Sequence, residues 1–168
     1  DPLYVDAQYF SPDYWQEQII FAMKAVINRN RDVRVDAISS SGARQSCVLI
    51  DKKGKNLIGL PNIDNRGKAY MGEIQNKTEI YHKTGSWVTE DCIASKIYGL
   101  RKRHEDLYEK TSTFTSLSEW VGYFLTGSLC IEPSQATETL LFDLDNRKFS
   151  KDLIQCFGLE TLNMPICK

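Results

Sequence analysis

Ser39-Ser40-Ser41-Gly42-Ala43-Arg44-Gln45, the apolar run Cys47-Val48-Leu49-Ile50, the turn Asp51-Lys52-Lys53-Gly54, a second apolar run from Leu57 to Leu60, and Pro61-Asn62-Ile63-Asp64-Asn65-Arg66 together decide how this chain is read. Two short β-prone runs joined by a glycine-containing turn predict a β-hairpin. Antiparallel pairing returns the chain to the edge it left. The loop entering with Arg44 and Gln45 therefore meets, at one end of the sheet, the loop leaving with Asn62, Asp64 and Arg66. A guanidinium fork, amides that donate and accept, and a carboxylate acceptor suit a small polyhydroxylated ligand. The same residues also fit a plainer arrangement, in which Arg44 and Gln45 cap the sheet and Asp64 pairs locally with Arg66.

Outward from the hairpin, Val33 to Ile38 alternates apolar with polar residues, which predicts a half-buried strand feeding the serine-rich loop. Ser11-Pro12-Asp13 is a helix start: a side-chain cap, proline in the first turn and an acid beside it. Trp15, Ile19, Ala22, Met23 and Val26 continue at helical spacing to about Asn30, an apolar face expected to pack on the sheet. After Arg66, Tyr70, Ile74, Ile80 and Tyr81 predict one or two short helices, broken near Asn76 and stopped at Gly85. Thr89-Glu90-Asp91 opens another helix with Ile93, Ile97 and Leu100 on one face. Further helices are expected from about Ser116 to Leu125, closed by Thr126-Gly127, and from Ser150 to Phe157. Leu140 to Leu144 reads as a short strand. Trp15 and Trp120 fall at core positions of their helices. The pattern is α/β or α+β, with helices outnumbering strands.

The 168 residues amount to one domain, long enough to bury roughly 70% of the surface of the unfolded chain. A formal charge of −1 gives no long-range field to gather nucleic acid or anionic lipid, and neither partner is expected. The absence of an apolar stretch of spanning length, and of basic and apolar signal regions at Asp1-Pro2-Leu3-Tyr4, leads us to expect no membrane partner and a cytoplasmic location. Five scattered cysteines without a C-x-x-C pair suit small hydrophobes in a reduced compartment, and no catalytic thiol or metal site is expected. His82 and His104 read as surface histidines, and Lys96, Arg101, Lys102 and Arg103 as a solvated basic face. Neither a G-x-x-x-x-G-K-[ST] nor a G-x-G-x-x-G loop occurs. The chain opens without a strand and glycine-rich turn and stops at Met164-Pro165-Ile166-Cys167-Lys168 without a closing element, so it reads as cut at both ends.

Set in order, these segments resemble the FGGY carbohydrate kinases. Phe10 to Trp15 is similar to the family's E-x-D-P-x-x-W-W helix entry, Val35 to Arg44 to its I-x-x-I-G-I-x-x-Q strand and loop, and Val48 to Gly54 to V-L-L-D-x-x-G. Asn62 to Arg66 resembles W-x-D-x-R, Lys83-Thr84-Gly85 the x-T-G turn, and Ser118 to Gly127 the D-Y-L-x-Y-x-L-T-G helix. Pro133 to Ala136, Phe142-Asp143-Leu144 and Leu159 to Pro165 follow D-x-S-x-A, L-x-D-L and L-x-x-x-x-L-P.

The resemblance implies an α/β, partial ribonuclease H-like (actin-like ATPase) domain, a mixed sheet with flanking helices. It also implies transfer of the γ-phosphate of ATP to a sugar or polyol hydroxyl. Residues 1–168 would be most of the N-terminal domain. The D-x-G-T phosphate-loop strand would precede Asp1, and the general-base Asp and the adenine-binding C-terminal domain, a partner within the same parent, would follow Lys168. ATP and Mg²⁺ would then serve the full-length parent and none would be bound by this fragment, which is expected to be inactive alone. A homodimer is a candidate assembly. Carried over by position, the sugar-contacting places fall on Arg44, Gln45, Asn62, Asp64, Arg66 and Asp91. Asn62 replaces a tryptophan common in the family, and Asp91 an aromatic of glycerol-specific members. Arg44-Gln45 and N-x-D-x-R look most like the autoinducer-2 kinase branch, whose substrate is a linear dihydroxypentanedione. The alternative is a non-catalytic polyol-binding or assembly module.

Overall fold

The computed structural model describes residues 1–168. Its centre is the expected hairpin, β1 (Cys47–Asp51) and β2 (Asn56–Leu60), antiparallel with Cys47 opposite Leu60 and Leu49 opposite Ile58. A third strand not expected from the sequence, β3 (Thr111–Ser116), pairs antiparallel along the other side of β1, giving the order β2–β1–β3. All six of its residues are buried, and its threonines are the β-branched type that fits a pleated surface. The central position of β1 explains its unbroken apolar run. Cys47 and Leu49 face one layer of the core, Val48 and Ile50 the other.

The first layer holds α2 (Lys77–Thr84), through Ile80, and α3 (Ile93–Arg103), through Ile93, Ile97 and Leu100. These three α3 side chains are fully buried, and at about 1.5–3 kcal/mol each they contribute up to about 5–9 kcal/mol, enough to fix the helix on the sheet. The second layer is built on Trp120 of α5 (Leu117–Thr126), which is capped by the Ser116 side chain and ends at Gly127 as expected. The Trp120 indole donates to Asn56 Oδ1 at 2.9 Å, so even its polar atom is satisfied in the core.

The helix α1 (Pro12–Arg29) begins at the predicted cap, with Ser11 accepting from the Tyr14 amide. Its apolar face is less covered than expected. Only Pro12 is buried, and Trp15 is 42% exposed, packed on Phe10 with ring centres 4.5 Å apart rather than in the core. Ile19, Met23, Val26 and Ile27 instead line an apolar groove of about 400 Å³ with Val35, Ile38, Val121 and Leu125.

The strand expected at Val33 to Ile38 does not form: the segment is irregular and exposed, and Arg34 pairs with Asp36 at 2.7 Å. Alternation makes a strand only where a neighbour supplies ladder hydrogen bonds, and no strand pairs with this segment. Each margin of the sheet carries a single bridge instead, Phe10 with Gly59 beside β2 and Asn163 with Thr113 beside β3.

The remaining elements are a 3₁₀ turn (Lys68–Tyr70), α4 (Glu105–Lys110), β4 (Cys130–Ile131), α6 (Pro133–Thr137), β5 (Phe142–Asp143), β6 (Lys148–Phe149), α7 (Lys151–Cys156) and β7 (Ile166–Cys167). Among the strands only β4 and β7 pair parallel, and the Thr113–Asn163 bridge is parallel too. No helix is long and apolar enough to cross a membrane.

Candidate ligand site at the mouth of the hairpin

The β1–β2 ladder stops at Cys47 opposite Leu60. The two loops are joined there by a side chain. Lys96, in the first turn of α3, donates from Nζ to the carbonyls of Gln45 at 2.6 Å and Pro61 at 2.8 Å. The expected meeting of the entering and leaving loops is therefore present. Lys96 itself is fully buried, contrary to its reading as part of a solvated basic face. The side chain of Arg103, from the same cluster, is also 95% buried, its guanidinium bidentate to Asp6 at 2.6 and 2.9 Å.

Burial pushes the Lys96 ammonium below the usual lysine range, against the opposing pull of Cys47, Asp64, Asp91 and Cys92. Burial likewise pushes the neighbouring Cys47 thiol up to about 12, which keeps it neutral. The close approach of α3 depends on Gly99, whose Cβ, if present, would sit 2.5 Å from the Arg66 carbonyl oxygen and 2.8 Å from the Gly67 nitrogen.

The six predicted contact residues divide into two groups. Arg44 is exposed at the rim, with its guanidinium 3.1 Å from Glu138, just past α6. Asn62 is exposed, and Asp91 is half-buried and free of side-chain hydrogen bonds and ion pairs. Gln45 is half-buried with φ of 60°, a left-handed conformation that costs a non-glycine residue about 1 kcal/mol or more.

Asp64 and Arg66 lie beneath the surface. They are 0% and 1% exposed and paired at 2.7 Å. Asp64 Oδ1 accepts from the Gln8 amide at 2.8 Å, and Arg66 donates to the Gln8 carbonyl at 2.8 Å. The local ion pair left open from the sequence is the arrangement present, and it ties the leaving loop to the amino-terminal segment. Their strongest donors and acceptors are engaged within the chain.

Sequence reasoning passed over Lys96, although Ile93, Lys96, Ile97 and Leu100 follow the i, i+3, i+4, i+7 template, so a lysine occupies the buried stripe. Glu138 carried no comparable local signal. A hydroxyl-rich groove of about 490 Å³ lies beyond the entering loop, between Ser39, Ser40, Gly42, Ser118, Glu119 and Gln135; it contains none of the six predicted residues. His82 is exposed as expected, but His104 is partly buried, its Nε2 2.8 Å from Asp1 Oδ2. The five cysteines are all free. No three His, Cys, Asp or Glu side chains converge where a metal ion could be held. The rim donors and acceptors fit a hydroxylated ligand.

Comparison with known proteins gives a consistent set of likenesses. The family model described as "FGGY family of carbohydrate kinases, N-terminal domain" matches residues 6–167. The Bacillus subtilis (strain 168) protein named "Putative sugar kinase YoaC" is 43% identical over 165 residues, covering 98% of this chain and 34% of that protein. An autoinducer-2 kinase of Salmonella choleraesuis (strain SC-B67) is 29% identical over 133 residues, 76% of this chain and 25% of its own. Among solved structures, Plasmodium falciparum glycerol kinase with ADP superposes with a TM-score of 0.85 at 19% identity, covering 96% of this chain and 35% of that one, a likeness of fold. The chain spans about a third or less of the length of these curated relatives.

Proposed function

Because the chain belongs to the FGGY family of carbohydrate kinases and matches its N-terminal domain, we propose that it is the sugar-binding part of a cytoplasmic, ATP-dependent kinase acting on a sugar or polyol hydroxyl. On this reading Arg44, Gln45, Asn62 and Asp91 contact the substrate. Arg44 orients hydroxyls through charge-assisted hydrogen bonds, with Glu138 holding its guanidinium when the site is empty. Asp64 and Arg66 keep the leaving loop in place. The observation that carries the reading is the meeting of the two hairpin loops at one end of the sheet.

The groups for ATP and Mg²⁺, and the carboxylate that takes the hydroxyl proton, belong to parts of the parent outside residues 1–168, and the fragment alone is inactive. Asn62 and Asp91 supply polar groups rather than a stacking surface, which favours a linear polyhydroxylated substrate.

Steady-state kinetics of Arg44→Ala in the full-length parent test the reading. The kcat/KM for sugar should fall about 10- to 100-fold, the loss of one charge-assisted hydrogen bond, with the KM for ATP unchanged. Unaltered sugar kinetics would remove Arg44 from the site.

A further inference from the structure

We propose that Lys96 is a positioning residue of the ligand site: its buried ammonium clamps the Gln45 and Pro61 carbonyls and so sets the gap between the two loops that face the ligand. The inference rests on the assignment of those loops to sugar binding and adds a residue that does not itself reach the ligand.

Three independent features meet at this side chain. First, the two acceptors lie on different loops, 2.6 and 2.8 Å from one nitrogen, so the tetrahedral spread of an ammonium's donors fixes the carbonyl oxygens roughly 4–5 Å apart. Second, the backbone makes no link between these loops: the β1–β2 ladder ends at Cys47 opposite Leu60, and no backbone hydrogen bond joins Gln45 or Ser46 to Pro61 or Asn62. Third, Gln45 sits in a left-handed conformation that persists only where its surroundings hold it, and its carbonyl is one of the two that Lys96 grips.

Lys96 is 0% exposed, so it binds no ligand directly. Its effect passes through Gln45 on one side and through Pro61 to Asn62 on the other. A Met side chain would fill similar space with no donor, leaving two carbonyls unpaired and the loops free to part. An Arg side chain keeps donors for both.

The test is kinetic, on the full-length protein that carries this chain. Lys96→Met should raise the KM for sugar about tenfold or more while leaving the KM for ATP within about twofold, and Lys96→Arg should recover most of the loss. A purely structural lysine would lower the yield of active protein but leave both KM values in place. Sugar kinetics unchanged in Lys96→Met, alongside an impaired Arg44→Ala, would overturn the role of Lys96 and spare the site. If both variants behave as wild type, the sugar site itself is misplaced.

Should Lys96→Met fail to fold, ¹⁵N-lysine NMR of the wild type carries the test, with the Lys96 ammonium signal assigned by its loss in Lys96→Arg. That signal should move on addition of sugar and not of ADP. A signal indifferent to sugar would overturn the proposal.

Discussion

Replacing Arg66 by Met separates the buried ion pair from everything else these loops do. The substitution keeps an unbranched side chain of comparable length but deletes the guanidinium that lies 2.7 Å from Asp64. Asp64 would retain only the Gln8 amide as a partner while remaining fully buried. The Gln8 carbonyl would lose its donor as well. Removing one partner of a buried pair costs about 3–5 kcal/mol, mostly the penalty of a stranded charge. For a cooperative unit of this size that corresponds to a fall in Tm of roughly 6–20 °C. The double variant Asp64→Asn, Arg66→Met removes the stranded charge and should recover a clear part of the loss, which a thermodynamic cycle measures directly. Calorimetry of the four proteins side by side is the assay. A fall of under about 2 °C in Arg66→Met, or a double variant no better than the single one, would refute the description of this pair as buried and mutually dependent.

Two further outcomes follow from the packing and the charges. Trp120→Phe removes the donor to Asn56 and leaves space between the sheet and α5; it should cost about 2–4 kcal/mol in urea unfolding, and a loss under about 1 kcal/mol would put Trp120 outside the core. Hydrogen bonds from Arg103 hold the Asp6 carboxyl below its ordinary value of 3.8. Its contribution to stability is therefore full above the unfolded value and lost as pH falls through the lower folded one. The stability difference between wild type and Asp6→Asn should shrink below about pH 4, and a difference constant down to about pH 2 would remove the pairing.

What the sequence disclosed was local. The hairpin, the start of α1 and the ends of α2 and α5 were legible because Asp51 to Gly54, Ser11-Pro12-Asp13, Gly85 and Gly127 act within a few residues of themselves. Partnership at a distance was not legible. Thr111–Ser116 has the hydroxyl-rich composition of a loop and becomes a strand because β1 offers it a free side, whereas Val33 to Ile38 has the alternation of a strand and finds no neighbour. The candidate site divides the same way. Its residues were named from their loops, but burial separates Asp64 and Arg66 from the rim, and Lys96 passed for a surface charge because its neighbours Arg101 and Lys102 are at the surface.

The paired margins of the small sheet bear on how the protein avoids sticking to itself. Cys47-Val48-Leu49-Ile50 is an uncharged, β-rich run of the kind that stacks into fibres when uncovered. It lies in the middle strand, and each outer strand is shielded by one residue from a distant part of the chain, Phe10 on one side and Asn163 on the other. An incoming molecule thus meets no long row of free amides on which to template growth. These two single-residue guards, rather than the strands themselves, limit how readily the chain would begin to aggregate.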